Sequence, residues 1–355
     1  MPPKDTDLTT ANDNFDFAAL AAEIRRDFPD LSPRVYFVDT FKKEYVYGDE
    51  RADAQYERHM AVNPSLRNCL ANQIDKYSAE KNSMVFPGPN NDFFVLLYTG
   101  DDAINLLGKS TPHKQGLTFI IDHEIGHIVT ANGQHSKVSR TLHECTADTY
   151  AAMRQMQRFD GGMRAIRNLQ LRRAQRLISL EGTRHADHFT SFVLDKLIET
   201  ADKLPLRHIT AQQTAELADR IAVLFTPNDQ IVKNIMEAFA PFQKMLAQQP
   251  GDDTPYRVLA QTVLDTKDWE IFKWGAPVLR GYLQGALADM QNGEQLVKVN
   301  EKPLWGAGWN NVAQRLKERE FEFNRDQILF GLDLPRPMQD LAARLHPRPP
   351  FKRNP

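Results

Sequence analysis

The pentapeptide His123-Glu124-Ile125-Gly126-His127 carries the densest chemistry in this chain of 355 residues. On an α-helix, side chains four residues apart share a face, one turn apart. His123 and His127 can then grip one metal ion between their imidazoles. Glu124 stands beside them and faces the ion's open position. Zinc suits such a pair, and in an H-E-x-x-H site the glutamate serves as general base toward a water that the metal activates. With only 10 histidines in the chain, the pattern seldom arises by chance.

A catalytic zinc takes three protein ligands and keeps one position open. Cys69 and Cys145 are the only cysteines, too few for a disulfide framework or a Cys-rich zinc module. The third ligand must therefore be a histidine or a carboxylate. The metzincin completion requires Gly three residues and His six residues after His127. Thr130 and Gly133 occupy those positions, so that route fails. His135 and His143 lie close by, but neither has a recognised spacing. The segment Thr141-Leu142-His143-Glu144-Cys145-Thr146-Ala147-Asp148 offers more. In one reading Thr141 and Glu144 form a capping box, and Glu144 serves only the start of a helix. In the other, Glu144 turns to the metal.

Glu144-Cys145-Thr146-Ala147-Asp148 begins seventeen positions after His127 and resembles the E-x-x-A-D segment of gluzincin-clan zinc metalloproteases. The resemblance covers residues 117–150 only, so it bears on the clan and not on the substrate. It implies a zincin-like core and a Zn²⁺ ion held by His123, His127 and Glu144, with Glu124 as general base. It also implies that Asp148, one turn beyond Glu144, accepts a hydrogen bond from His123. Ligating imidazoles nearly always give their second N–H to a carboxylate or carbonyl, which fixes the tautomer.

Amide hydrolysis passes through an oxyanion that a positioned His, Tyr or Arg can stabilise. Gly182-Thr183-Arg184-His185-Ala186-Asp187-His188-Phe189-Thr190-Ser191 is the dense polar, histidine-bearing cluster downstream. His188 or His185 is the expected oxyanion partner, with Asp187 or Arg184 as helper. Alternatively, Asp187 caps the next helix and both histidines face solvent. Tyr150 is expected to point off the metal face, and Cys145 to be a small buried thiol. Arg164, Arg167, Arg172, Arg173 and Arg176 read as a solvated basic helix face, with a groove for an acidic substrate as the alternative. Trp269, Trp274, Trp305 and Trp309 read as packing residues.

These groups need elements to position them. The spacing predicts a helix over 15–28, closed by Pro29 and Pro33. Strands follow at Arg34–Val38 and around Tyr45-Val46-Tyr47. Phe93–Thr99, after the turn cluster Pro87–Asn91, is the most β-like run. It is either the edge strand that a peptide substrate would extend or a central strand buried on both faces. Asn132-Gly133 should end the H-E-x-x-H helix. Helices are then expected at 141–159, 163–180, 189–204, 211–225, 229–248, 255–264, 269–291 and 310–330.

The predicted fold class is α+β, a small sheet with the active-site helix followed by a large helical region. Its expected divisions are a polar, disordered N-terminus at 1–14, a mixed α/β subdomain with the H-E-x-x-H helix at 15–133, a helical subdomain with the third ligand at 134–334 and a Pro/Arg-rich tail at 335–355. The composition, 41% hydrophobic and 25% charged, is that of globular proteins. A net charge of −2 gives no general reason to expect nucleic acid as a partner. No run approaches a membrane span, and the N-terminus lacks the apolar stretch of a signal peptide. The expected location is the cytoplasm, or export without a recognisable signal. The expected activity is zinc-dependent hydrolysis of a peptide or protein substrate. A zincin scaffold used for binding or regulation, or a zinc hydrolase acting on a non-peptide bond, are the alternatives. The oligomeric state is open.

Overall fold

The computed structural model describes residues 15–108, 111–134, 138–160, 162–178, 188–248, 254–267, 272–276, 279, 314–316, 318 and 319. In chain order the elements are α1 (Phe17–Asp27), β1 (Val35–Asp39), β2 (Glu44–Tyr45), α2 (Glu50–Val62), α3 (Pro64–Glu80), β3 (Met84–Pro87), β4 (Phe93–Leu97) and α4 (His113–Val129). Helices α5 (Ala131–Gln134), α6 (Arg140–Arg158), α7 (Gly162–Ile178), α8 (Ser191–Thr200), α9 (Ala211–Phe225), α10 (Asp229–Gln248) and α11 (Thr254–Asp265) follow. The α+β class is as expected. The expected helices 269–291 and 310–330, and the termini 1–14 and 335–355, lie largely or wholly outside the described residues.

The four strands form one sheet in the order β2-β1-β4-β3. β1 runs parallel to β4, pairing Val35 with Phe93 and Asp39 with Leu97, and both outer strands are antiparallel to their neighbours. Side chains alternate across a strand, so the two central strands feed two cores. Val35, Phe37, Val95 and Leu97 enter the large core that reaches through α1, α4 and α6 to α11. Tyr36, Val38, Phe94 and Leu96 enter a smaller core under α2 and α3 with Ala52, Leu66 and Leu70.

This double burial resolves the choice left open for Phe93–Thr99. β4 is central, and its continuous apolar pattern follows from having two covered faces. The edge on that side is β3, a strand the sequence reading omitted. Met84-Val85-Phe86-Pro87 is four residues long and ends in proline, so its signal is weak. Helices α2 and α3 were also missed, although each has an N-cap: Asp49 accepts from the Ala52 N–H, and Asn63, followed by Pro64, accepts from the Leu66 N–H. Their long polar surfaces hide the few apolar positions that touch the sheet.

Helix α4 is buried along most of its length, including Phe119, Ile121, Ile125 and Ile128. It packs along α6 more extensively than any other pair of described helices. Its end differs from the expectation. It stops at Val129, with Thr130 in extended conformation and the Thr130 hydroxyl bonded to the Gly126 carbonyl at 2.7 Å. Asn132-Gly133 instead lies inside the short α5, and the Gly133 N–H donates to that same hydroxyl. Among the described residues, no helix is long and apolar enough to cross a membrane.

Candidate metal centre

The site forms where α4 crosses α6, and a glycine permits the approach. A Cβ built on Gly126 would stand 2.9 Å from the Ala147 Cα, closer than real Cβ contacts come. The small residue within the His-Glu-Ile-Gly-His run and the alanine before Asp148 are thus the points of closest packing. Their contact sets the spacing between the two imidazoles and the carboxylate opposite.

Glu144 is free to join that spacing because another residue caps α6. The Ser139 hydroxyl accepts from the Leu142 N–H, so the helix starts before Thr141 and the Thr141–Glu144 capping box is not formed. Glu144 sits in the second turn with its carboxylate turned toward α4. Its Oε2 lies 3.3 Å from His123 Nε2, and its Oε1 lies 3.8 Å from His127 Nε2. The two Nε2 atoms are 3.3 Å apart. One donor atom from each of His123, His127 and Glu144 falls within 4.8 Å of the other two.

Asp148 lies directly behind His123, its Oδ1 2.8 Å from the ring's Nδ1. A neutral His123 with its proton on Nδ1 therefore aims the Nε2 lone pair into the cluster. Two imidazole nitrogens and a carboxylate facing one another at this range repel unless a proton or cation stands between them. That donor set, nitrogen and oxygen without thiolate, fits a borderline divalent ion such as zinc.

Taken by themselves, these groups titrate against one another. Burial opposes a charged His123, yet hydrogen bonding to Asp148 and Glu144 prevails and raises its pKa to about 10. Burial and the charge of His123 lower His127 to about 4. Burial works against an ionised Glu144, but its contact with His123 wins and brings it to about 2. Burial, opposed by His123 and reinforced by the charge of Glu144, pushes Glu124 up to about 7.

The Val85 backbone N–H on β3 lies close enough to Glu124 to favour its ionised form. The exposed edge of the sheet therefore runs past the carboxylate proposed as a base. In the antiparallel ladder Val85 faces Val95. With its N–H turned outward to Glu124, Val85 lies at a position whose backbone groups point away from β4.

Of the downstream residues, His188 is brought to the site: its Nε2 lies 3.4 Å from Glu144 Oε2, and the ring is partly exposed. His185, Asp187, Arg184 and His135 lie outside the described residues. Tyr150 does point off the metal face, buried on the side of Asp122, Arg154 and Arg158. Cys145 is a fully buried thiol whose pKa burial raises.

Arg173 corrects the reading of α7. Arg164 and Arg167 are exposed, but Arg173 is buried and forks onto Asp148, Nε to Oδ2 at 2.8 Å and an Nη to Oδ1 at 2.9 Å. Thr190 was likewise missed; its hydroxyl donates to Asp148 Oδ2 at 2.6 Å. The apolar neighbours Ala165, Ile166, Leu169 and Ala174 mark which face of α7 is buried. Position 173 falls four after Leu169 on that face, a cue the sequence did contain. Comparison of the chain with protein-family models, curated proteins and solved structures finds no match.

Proposed function

We propose that this protein is a zinc-dependent hydrolase of peptide bonds, with the gluzincin-like arrangement that the H-E-x-x-H and E-x-x-A-D segments resemble. The observation that carries the reading is the convergence of His123, His127 and Glu144 within 4.8 Å, with Glu124 on the same helix and Asp148 behind the first histidine. A site that only stored or bridged a metal has no use for a further, partly buried carboxylate beside it.

His123, His127 and Glu144 would hold the ion, and zinc when bound supplies Lewis acidity toward the attacking water and the scissile carbonyl. Glu124 takes the proton of that water and passes it to the leaving amine, so the C–N bond breaks as a neutral amine departs. Burial, which raises Glu124 to about 7, suits a group that must both accept and return a proton near neutrality. His188 is the candidate donor to the oxyanion. An extended peptide laid along the β3 edge would pass beside Glu124 and donate to the outward Val85 carbonyl.

The test is cleavage of a denatured protein mixture, with and without chelator, followed by mapping of the cut sites. Glu124→Gln should keep its zinc and lose turnover by about 10²- to 10⁴-fold; near-normal turnover in that variant would remove Glu124 from the mechanism. Glu144→Ala should lose the metal, and unchanged zinc stoichiometry there would point to a different ligand set. Zinc uptake without cleavage of any peptide would favour a non-peptide bond or a binding role.

A further inference from the structure

Asp148 is fully buried and accepts from three directions. Its Oδ1 meets His123 Nδ1 at 2.8 Å and an Arg173 Nη at 2.9 Å; its Oδ2 meets Arg173 Nε at 2.8 Å and the Thr190 hydroxyl at 2.6 Å. The three donors come from α4, from α7 and from the residue that leads into α8. Fixing the tautomer of His123 needs only the first. The guanidinium offsets the carboxylate's charge in a region without water. Neither task explains the third donor. Thr190 is buried, and a threonine hydroxyl can be satisfied locally by a backbone carbonyl, as Thr146 and Thr149 are on α6.

What Thr190 adds is a link along its own chain. Two residues before it stands His188, whose Nε2 lies 3.4 Å from Glu144 Oε2. The backbone between them is tight: the Thr190 N–H donates to the His188 carbonyl at 2.9 Å. Between them, Phe189 is buried against Phe192 with ring centroids 4.6 Å apart. The Phe189 carbonyl faces the Cys145 thiol at 3.9 Å, so the segment lies against α6 at the turn that carries Glu144. Two anchors hold it there, one apolar and one to Asp148.

We infer that Thr190 is a positioning residue that registers His188 against the metal centre through Asp148, with Arg173 holding that carboxylate for both tasks. One carboxylate thereby sets the orientation of a ligand, His123, and the place of the downstream histidine. The inference rests on the functional reading above only for the consequence in turnover; the registration itself is a property of the chain without metal.

The experiment compares wild type with Thr190→Val, which keeps the shape and removes the hydroxyl, and Thr190→Ser, which restores it. Histidine ring ¹H–¹⁵N spectra of the metal-free protein are the first readout. The His188 signals should move in Thr190→Val and return in Thr190→Ser, while His123 keeps its Nδ1–H form through Arg173-held Asp148. Identical His188 signals in all three proteins overturn the inference, whether or not zinc binds. The second readout is zinc affinity by competition with a chromogenic chelator. Loss of a contact to a ligand's carboxylate partner should weaken binding about 10-fold in Thr190→Val and not in Thr190→Ser. In turnover, Thr190→Val should lower kcat with little change in KM, and should add nothing in a His188→Ala background; full additivity there overturns it. Should valine crowd Asp148 and unfold the chain, Thr190→Ala provides the same comparison. A wild type that takes up no zinc removes the functional reading and leaves the spectra to decide this one.

Discussion

Helices α4 and α6 carry two buried charge networks on opposite sides, and the contrast between them is informative. On one side Asp122 receives Arg158 at 2.6 Å, Arg158 also meets Glu23 at 2.8 Å, and Arg154 meets Glu23 at 3.1 Å and Asp27 at 2.7 Å. On the other side, beginning with the very next residue, His123 and His127 face Glu144. In the first network each guanidinium is turned toward carboxylates, and the result is a clamp that binds α1 to the helix pair. In the second, only Asp148 is fully paired, by Arg173 and Thr190. In front of it His123, His127 and Glu144 converge, and the contacts of His123 with Asp148 and Glu144 raise its pKa to about 10. The first network uses its charges to join α1 to the helix pair, whereas the second gathers the donor set on which the proposed zinc site rests.

The first way to break that comparison is to remove the guanidinium of the clamp. Arg158→Met removes the guanidinium bonded to the buried Asp122, leaving only the charge of Arg154 nearby, and should cost about 3–5 kcal/mol in urea unfolding. The zinc stoichiometry of the folded protein should not change; a loss of zinc at unchanged stability would show that the two networks are not separate. Metal removal probes the other side. Zinc at a hundred times its dissociation constant should add about 2.7 kcal/mol to wild type, read as a rise in Tm that chelator reverses. The same increment in Arg158→Met would confirm independence.

Gly126→Ala acts on both networks, because it pushes on the spacing that they share. Its Cβ meets Ala147 backbone at 2.9 Å, so overpacking should cost about 1–3 kcal/mol and weaken zinc binding together. Stability lost with zinc affinity intact would locate the strain elsewhere. Glu144→Gln should abolish zinc uptake and also cost about 1–3 kcal/mol of metal-free stability, since it removes the charge-assisted contact with His123 that holds the carboxyl down at about 2. The smallest effect is expected where charge is solvated: Glu199→Ala breaks the surface pair with Lys196, 2.9 Å apart, and should stay within about 0.5 kcal/mol.

How much of this was legible in the sequence depends on whether the signal was local. Helices α9 and α10 were read with their observed ends at Ala211–Phe225 and Asp229–Gln248, because apolar periodicity and caps are local features. Strand β3 and helices α2 and α3 were missed because their character comes from what covers them. The Thr141–Glu144 capping box was a plausible local pattern displaced by Ser139, two residues earlier. Arg173 looked like one more surface cation, since its partner is on another helix.

The residue types and the four-residue spacing within α4 determine by themselves that His123 and His127 share a face with Glu124 beside them; helical geometry leaves no other outcome. The sequence also offered Glu144 and Asp148, by resemblance, as candidates to complete that face. Only the tertiary structure decided that they do converge. That required Gly126 to admit Ala147, Ser139 to cap α6 in place of Thr141, and Arg173 with Thr190 to hold Asp148 behind the first imidazole. Each of these depends on contacts between elements distant in the chain, which spacing along one helix does not encode.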